Sequence, residues 1–190
     1  MNIQPHSRMS KAAFLAWAEG VEERCELAGG RVIMMTGVSR NHSTIARNLT
    51  LALCKRLDQD KWPVFVEFGL DTGPDSVRYP DIVVDRTGGD GKDYTASAPV
   101  LLAEILSPSS AAIDLGDKAA EYLQLPSLRA YLVFSQDEPK AWAWLRHDGP
   151  FAPGPTLFQG ADAVIPVTAL QIELPLAEIY SGMVTAPPSN

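Results

Sequence analysis

The sequence predicts a mixed α/β domain in which helices flank a single central β-sheet. Helical patterns alternate with short β-like apolar runs along the chain, and an apolar content of 46% is sufficient for a large core. A length of 190 residues is typical of one domain. We therefore expect one domain over residues 10–180, with flexible tails at residues 1–9 and 181–190.

The first predicted element is a short amphipathic helix over residues 10–19, with Ser10 as its N-cap. A β-hairpin follows over residues 25–36, because Gly29 and Gly30 can adopt the positive φ angles of a tight turn. Residues 42–60 carry the clearest helical pattern, since their apolar side chains recur on one face. These three elements account for the first third of the chain.

The long helix is also the most basic segment of the sequence. Either Asn41 or Ser43 could serve as its N-cap. Several basic side chains are candidates to contact a nucleic-acid backbone, namely Arg40, Arg47, Lys55 and Arg56. At least two of them would only be solvated on the helix face.

Short β-like runs dominate the rest of the chain. They lie at residues 64–70, 78–84, 100–106, 130–135, 141–146, 164–167 and 170–174. Further helices are predicted at residues 113–125 and 175–180, and a Gly-rich loop at residues 85–99. The helices at residues 42–60 and 113–125 would cover the two faces of one sheet.

Two of the apolar runs carry an acidic residue. Asp81 stands at the head of one run, and Glu104 lies inside the run over residues 100–106. An ionised carboxylate in such surroundings is costly unless a cation or hydrogen-bond donors compensate it. Lys118 follows on the next predicted helix. Two carboxylates and a lysine suggest a metal ion and an anionic substrate.

Several motifs occur in the order and spacing of a known family. An ELxxGR-like hairpin is followed by GVSRNH, YPDIVVD, LLAEILSPSS, DLGDKAAEYLQLPSLRAYLVF and ALQIELPLAEIY. In this order the chain resembles the Uma family of restriction endonucleases over roughly residues 10–180. The resemblance implies the restriction-endonuclease-like fold of the PD-(D/E)XK superfamily. It also implies a metal-dependent phosphodiesterase core.

The resemblance implies a metal site formed by the acidic residues of the two apolar runs. Asp81 and Glu104 match the acidic positions of the superfamily motif. The backbone carbonyl of Ile105 would complete the ligand set of a Mg²⁺ or Mn²⁺ ion, which prefers oxygen ligands. The expected cofactor is therefore Mg²⁺, with Mn²⁺ as the alternative.

Three further positions match the family pattern. The usual lysine slot is occupied by Leu106, and Lys118 matches the helix-borne lysine of the family's own variant. Lys118 would orient or activate the attacking water, or hold the phosphate. Glu26 matches an early acidic residue that adds to the metal pocket. His42 matches the histidine before the first long helix and, with Arg40 and Arg47, is expected to contact nucleic acid.

The acids and the lysine of the predicted site also have purely structural interpretations. Asp81, which follows a proline, could end a turn. Glu104 and Lys118 could form a buried ion pair with no catalytic role. Lys118 could instead pair with Asp114 or Glu121 on a solvated helix face.

The other candidate residues also have purely structural interpretations. Glu26 could pair with Arg31 across the hairpin. Asp114 is interpreted as an N-cap rather than as a metal ligand. His42 is as consistent with a helix start as with a functional residue.

The net charge bounds the function further. The net charge is −7, which argues against a protein that coats nucleic acid without specificity. Residues 1–60 carry a net charge of +2, and residues 61–190 carry −9. Any DNA affinity must therefore come from a local patch. No apolar run reaches the roughly 18 residues that a membrane span needs, and the N-terminus lacks the pattern of a signal peptide, so we expect a cytoplasmic protein.

The leading hypothesis is a Mg²⁺-dependent endonuclease that hydrolyses DNA phosphodiester bonds. A homodimer is expected, because cutting both strands of a duplex favours two sites. The alternative is a catalytically inactive module of the same fold that binds nucleic acid or protein.

Overall fold

The structure is a computed structural model and describes residues 8–35, 37–107 and 111–184. Its α-helices are α1 (Lys11–Ala18), α2 (Arg40–Arg56), α3 (Lys118–Tyr122) and α4 (Leu176–Ile179). The expected tails at residues 1–9 and 181–190 lie mostly outside the described residues. Within the described ranges, no helix combines the length and the apolar character needed to cross a membrane.

The strands and two irregular helical turns complete the fold. The strands are β1 (Cys25–Ala28), β2 (Arg31–Met34), β3 (Val64–Val66), β4 (Leu70–Gly73), β5 (Ser76–Arg78), β6 (Ile82–Val84), β7 (Leu101–Ile105), β8 (Ala130–Phe134), β9 (Lys140–Leu145), β10 (Thr156–Gln159), β11 (Val164–Val167) and β12 (Ile172–Pro175). A π-helical turn, Ile113–Asp117, runs directly into α3, and a 3₁₀ turn, Thr168–Leu170, precedes β12.

Six strands form a mixed central sheet in the order β10-β9-β8-β7-β6-β3. β7 and β8 are parallel, and the other neighbouring strands are antiparallel. Residues of α2 and α4, such as Leu49 and Ile179, pack in the core on one face. Tyr122 of α3 packs with Tyr131 on the other face. The prediction of a central mixed sheet flanked by helices is confirmed.

Two smaller sheets, which the sequence did not predict, accompany the central one. Four strands form a second sheet, the small sheet, in the order β2-β1-β5-β4, and β11 pairs with β12. The strand predicted over residues 78–84 is two strands, with β5 in the small sheet and β6 in the central one. Pro80 lies at the break, where its missing N–H removes no ladder hydrogen bond. The chain therefore crosses between the sheets at Tyr79-Pro80-Asp81, and this crossing positions the site.

The first hairpin and the first two helices form close to the positions that the sequence predicts. Gly29 and Gly30 turn the chain between β1 and β2 with φ angles of 53° and 78°. Ser10 caps α1 as predicted, through a hydrogen bond from the N–H of Ala13. Neither predicted cap of α2 was correct, because α2 begins at Arg40 and Ser39 is its N-cap.

The elements that the sequence did not predict are β4 and β10. Both lie at the edges of their sheets, where strands are short and carry few buried side chains. The helix predicted over residues 113–125 is correct in position, but its first half is the π-helical turn. This turn determines which side chains reach the site.

Candidate active site

A cleft with a buried, charged floor lies where the two sheets meet. Its volume is about 310 Å³, and it opens between β1, β2, the start of α2, the end of β7 and the π-helical turn. The charged and titratable side chains of its floor are Glu26, His42, Arg78, Asp81, Glu104, Asp114 and Lys118. All seven are buried. Of the sequence-predicted residues, the cleft therefore brings together Glu26, His42, Asp81, Glu104, Ile105 and Lys118.

Asp81 and Glu104 are neighbours across two strands. β6 and β7 are antiparallel with Ile82 opposite Ala103, so the residue before β6 lies beside Glu104. One carboxylate oxygen of Asp81, Oδ2, accepts a hydrogen bond of 2.7 Å from the backbone N–H of Ile105. Asp81 thus does more than end a turn, because its side chain is fastened to the end of β7.

The carboxyl of Glu104 is held in surroundings that disfavour its ionisation. Burial is the largest cause and raises the pKa of Glu104 well above its ordinary value. The Lys118 ammonium lowers the pKa, while the charges of Asp81 and Asp114 raise it. A second cation near Glu104 would therefore stabilise the ionised carboxylate.

Lys118 is the positive centre of the cleft. Its Nζ lies 2.9 Å from Oε1 of Glu104, 3.2 Å from Oδ1 of Asp114 and 3.4 Å from Oε1 of Glu26. Burial lowers the pKa of the Lys118 ammonium, but the three carboxylates outweigh this effect and raise the pKa. Lys118 is therefore a fixed positive charge. The alternative pairing of Lys118 with Asp114 is present, but it is buried and not on a solvated helix face. Glu121 pairs with Arg78.

Glu26 connects the hairpin to the crossing between the sheets. Its Oε1 accepts a hydrogen bond of 3.0 Å from the N–H of Tyr79, and its Oε2 lies 3.5 Å from Nη1 of Arg78. The alternative pairing of Glu26 with Arg31 was wrong, because the hairpin register places Ile33 opposite Glu26. Glu26 therefore belongs to the cleft.

His42 lies beside Asp81 at the start of α2. Its Nε2 is 3.2 Å from Oδ2 of Asp81, and its buried Nδ1 has no hydrogen-bond partner among the described residues.

The four basic residues of α2 that were candidates to contact nucleic acid lie elsewhere on the helix. Of these, Lys55 is exposed and Arg56 pairs with Glu178. Arg40 and Arg47 are exposed and do not line the cleft, and Arg47 donates to Oδ1 of the neighbouring Asn48.

Two functional candidates were missed by the sequence reasoning, and a third was misinterpreted. Arg78 is buried and donates to both carboxylate oxygens of Glu121, at 2.9 and 2.5 Å. The Tyr122 hydroxyl donates to Oε1 of Glu104 at 3.1 Å. Asp114 is a buried residue of the π-helical turn and not the expected N-cap. Its spacing of four residues before Lys118 was the available signal, since such pairs share a helix face.

The charges of the cleft fit a bound divalent cation. Among the described residues, the carboxylates of the cluster are Glu26, Asp81, Glu104, Asp114 and Glu121, and its permanent cations are Arg78 and Lys118. Within the described ranges, no three His, Cys, Asp or Glu side chains are grouped so that they could hold a metal ion by themselves. Mg²⁺ commonly uses one or two carboxylates and keeps several waters. Asp81 and Glu104 suffice for that pattern.

The fold matches that of a solved nuclease-fold protein. The crystal structure of "a putative nuclease belonging to DUF820" from Anabaena variabilis superposes with a TM-score of 0.73, over 93% of this chain and 99% of that chain. The two sequences are 18% identical, so the likeness establishes a common fold. The predicted restriction-endonuclease-like fold is confirmed.

The family follows from the sequence comparison. Residues 12–177 match the family described as "Uma2: Putative restriction endonuclease". Because the match spans most of the chain, the protein belongs to the Uma2 family, as the motif order predicted.

Two proteins of Synechocystis sp., both described as uncharacterized, are similar in sequence. The protein slr1290 is 31% identical over 138 residues, which cover 69% of this chain and 70% of the relative. The protein sll1609 is 29% identical over 133 residues, which cover 67% of this chain and 75% of the relative.

Proposed function

We propose that the protein is a Mg²⁺-dependent endonuclease that hydrolyses DNA phosphodiester bonds. The observation that carries this proposal is the convergence of Asp81 and Glu104 from neighbouring strands on one cleft, beside the ammonium of Lys118. The family description and the name of the solved structure, which refer to a restriction endonuclease and a nuclease, support the same class.

Asp81, Glu104 and the backbone carbonyl of Ile105 would hold Mg²⁺, and Mn²⁺ could replace it. Such an ion lowers the pKa of a bound water and neutralises charge on the phosphate. The chain orients both carboxylates through one oxygen each. The N–H of Ile105 bonds to Oδ2 of Asp81, while Lys118 and Tyr122 bond to Oε1 of Glu104.

Lys118 has a defined electrostatic role in this proposal. Because its pKa is raised, the ammonium keeps its proton and does not serve as the base. It contacts the phosphate and stabilises the negative charge that develops there. Glu26 and Asp114 hold the ammonium in place, at 3.4 and 3.2 Å.

The DNA contacts outside the cleft remain proposals. Arg40 and Arg47 are exposed on α2, from which they would reach the phosphate backbone. His42 would act inside the cleft, beside Asp81. The expected homodimer stays a prediction and depends on cleavage of both strands of a duplex.

Nicking of a supercoiled plasmid with Mg²⁺ tests the proposal. We expect Glu104→Gln and Lys118→Gln to reduce the nicking rate at least ~100-fold, which is the usual effect of removing one electrostatic contact in an active site. Glu138→Gln is the matched control, since Glu138 pairs with Lys140 outside the cleft and its loss should leave the rate unchanged.

Equal nicking by the wild type and both cleft variants would assign the activity to a contaminant. Loss of activity in Glu138→Gln as well would indicate a general effect on folding. Folding is checked independently by thermal unfolding of each variant.

A second candidate is a non-catalytic module of the same fold that binds nucleic acid or protein. The observation that favours it is the engagement of Lys118 by three carboxylates, which is also the arrangement of a structural ion network. Under this alternative no plasmid is nicked with Mg²⁺ or Mn²⁺, while binding to nucleic acid or a protein partner is retained.

A further inference from the structure

The mouth of the cleft differs in character from its floor. The floor is charged, whereas the exposed side chains at the mouth are large and apolar, namely Ile33, Met34, Val38 and Ile113. Ile33 is 38% exposed and Val38 is 49% exposed. We call these four residues the apolar rim. Ile33 is paired with Glu26 across the hairpin, so these two side chains, one of the rim and one of the floor, lie on the same face of the small sheet.

The cleft has few cations for the two backbones of a duplex. Arg24 pairs with Glu67 at 2.7 Å and Arg78 pairs with Glu121. Lys118, which three carboxylates hold in place, is left to contact a single phosphate. Duplex binding depends chiefly on cations that neutralise phosphates. The cleft is therefore poorly equipped to grip a duplex through its two backbones.

The apolar rim can instead hold the faces of bases. Side chains such as Ile and Met are the type that proteins insert against unstacked bases. A base whose face is exposed, as in a single strand, offers apolar area without unpairing cost. A cleft of about 310 Å³ is at the lower end of small-ligand pockets, which suits one nucleotide.

We infer that the cleft takes an unpaired nucleotide, with its base against the apolar rim and its phosphate toward Lys118, so that the substrate is a single-stranded segment of DNA. This inference rests on the proposed nuclease function for the identity of the ligand. A single-stranded substrate needs one site per cut, so the homodimer is not required by this chemistry.

The test compares binding of a fluorescein-labelled single-stranded 20-mer and the same sequence as a duplex, by anisotropy with Mg²⁺. Both are measured in the Glu104→Gln protein, which avoids cleavage during the titration. We expect the single strand to bind at least ~10-fold more tightly, which corresponds to about 1.4 kcal/mol, because the faces of its bases are open to the apolar rim.

The apolar rim is then made polar by Ile33→Thr with Val38→Thr, which keeps branched side chains on exposed positions. Single-strand affinity should fall about 5- to 10-fold and duplex affinity should stay the same. The matched control is Val66→Thr with Val164→Thr, at 53% and 38% exposure and outside the cleft. It should change neither affinity more than about twofold, because exposed substitutions have small effects.

Equal or tighter duplex binding, or an unchanged single-strand affinity in the rim variant, would overturn the inference. So would conversion of a wild-type dimer to a monomer by the rim substitutions, seen by light scattering, because the apolar rim would then be an interface between copies. Cleavage of duplex DNA without single-strand preference leaves the nuclease proposal intact. Rim-dependent single-strand binding without any cleavage overturns only the nuclease proposal.

Discussion

At the scale of single residues, the site consists of charged side chains that are costly to bury among the apolar residues of the sheet. Glu104 lies in β7 with buried apolar neighbours on both sides, and Lys118 and Tyr122 bond to one of its oxygens. A buried ion pair is weak evidence for stability, because desolvation offsets much of the attraction. The arrangement therefore gives the fold little net stability, which agrees with the role proposed for Glu104.

The pH dependence of stability follows from the raised pKa of Glu104. In the folded protein Glu104 keeps its proton at pH values where the unfolded chain, with a pKa near 4.5, has lost it. Its contribution to stability therefore declines as the pH rises above about 4.5. We expect Glu104→Gln, measured by urea unfolding in EDTA, to become more stable relative to the wild type as the pH is raised from about 5.

Glu178→Gln is the control with the opposite sign. A hydrogen bond from Arg56 lowers the pKa of Glu178, so its stabilising contribution is present above the ordinary pKa and is lost as the pH falls. That variant should be less stable than the wild type at neutral pH, with a difference that shrinks on acidification. Parallel curves for Glu104→Gln and the wild type would contradict the account of Glu104.

The sequence was sufficient to predict most of the residues that meet in the cleft. Asp81 and Glu104 stand out because a carboxylate in an apolar run is costly to bury unless a partner compensates its charge. The order of the motifs added Glu26, His42 and Lys118. Arg78 and Tyr122 could not be found in this way. Their roles depend on which strand lies beside β1 and on which face of α3 meets β7, and both are set by long-range packing.

At the scale of elements, two irregularities position the site. The break at Pro80 moves the chain from the small sheet to the central one and leaves Asp81 beside β7. The π-helical turn before α3 brings Asp114 and Lys118 to the same cleft, and such turns frequently occur at functional sites. Apolar periodicity predicts neither feature, because both preserve the overall pattern of their segments.

Two glycines test how the elements are packed. A Cβ at Gly69 would overlap the carbonyl oxygen of Tyr94, whereas a Cβ at Gly116 in the π-helical turn meets nothing within 4 Å. Gly69→Ala should therefore lower the free energy of unfolding by about 1–3 kcal/mol. Gly116→Ala should raise it by about 0.4–1 kcal/mol, because it restricts the unfolded chain.

Urea unfolding of both glycine variants beside the wild type gives these differences. The same sign of change for Gly69→Ala and Gly116→Ala would contradict the packing described here. Each variant serves as the control for the other, since both add one methyl group to the backbone.

At the scale of the whole molecule, charge is segregated. The chain carries −7 overall, and an excess of carboxylates is concentrated in one buried cleft between the two sheets. The sequence predicted the excess in residues 61–190 but not its burial in a single place. That required the small sheet, whose existence could not be read from strand patterns because β4 and β5 are only four and three residues long.

The central claim is that this buried negative charge holds a divalent cation through Asp81 and Glu104. Calorimetric titration of Mg²⁺ into the wild type, Asp81→Asn and Asp71→Asn tests it most directly. Asp71 pairs with Lys11 outside the cleft and is the matched control. We expect the wild type and Asp71→Asn to bind Mg²⁺ alike and Asp81→Asn to bind at least ~10-fold more weakly, since even outer partners of metal ligands contribute 10- to 100-fold. No binding by the wild type, or equal affinity in Asp81→Asn, would contradict the claim.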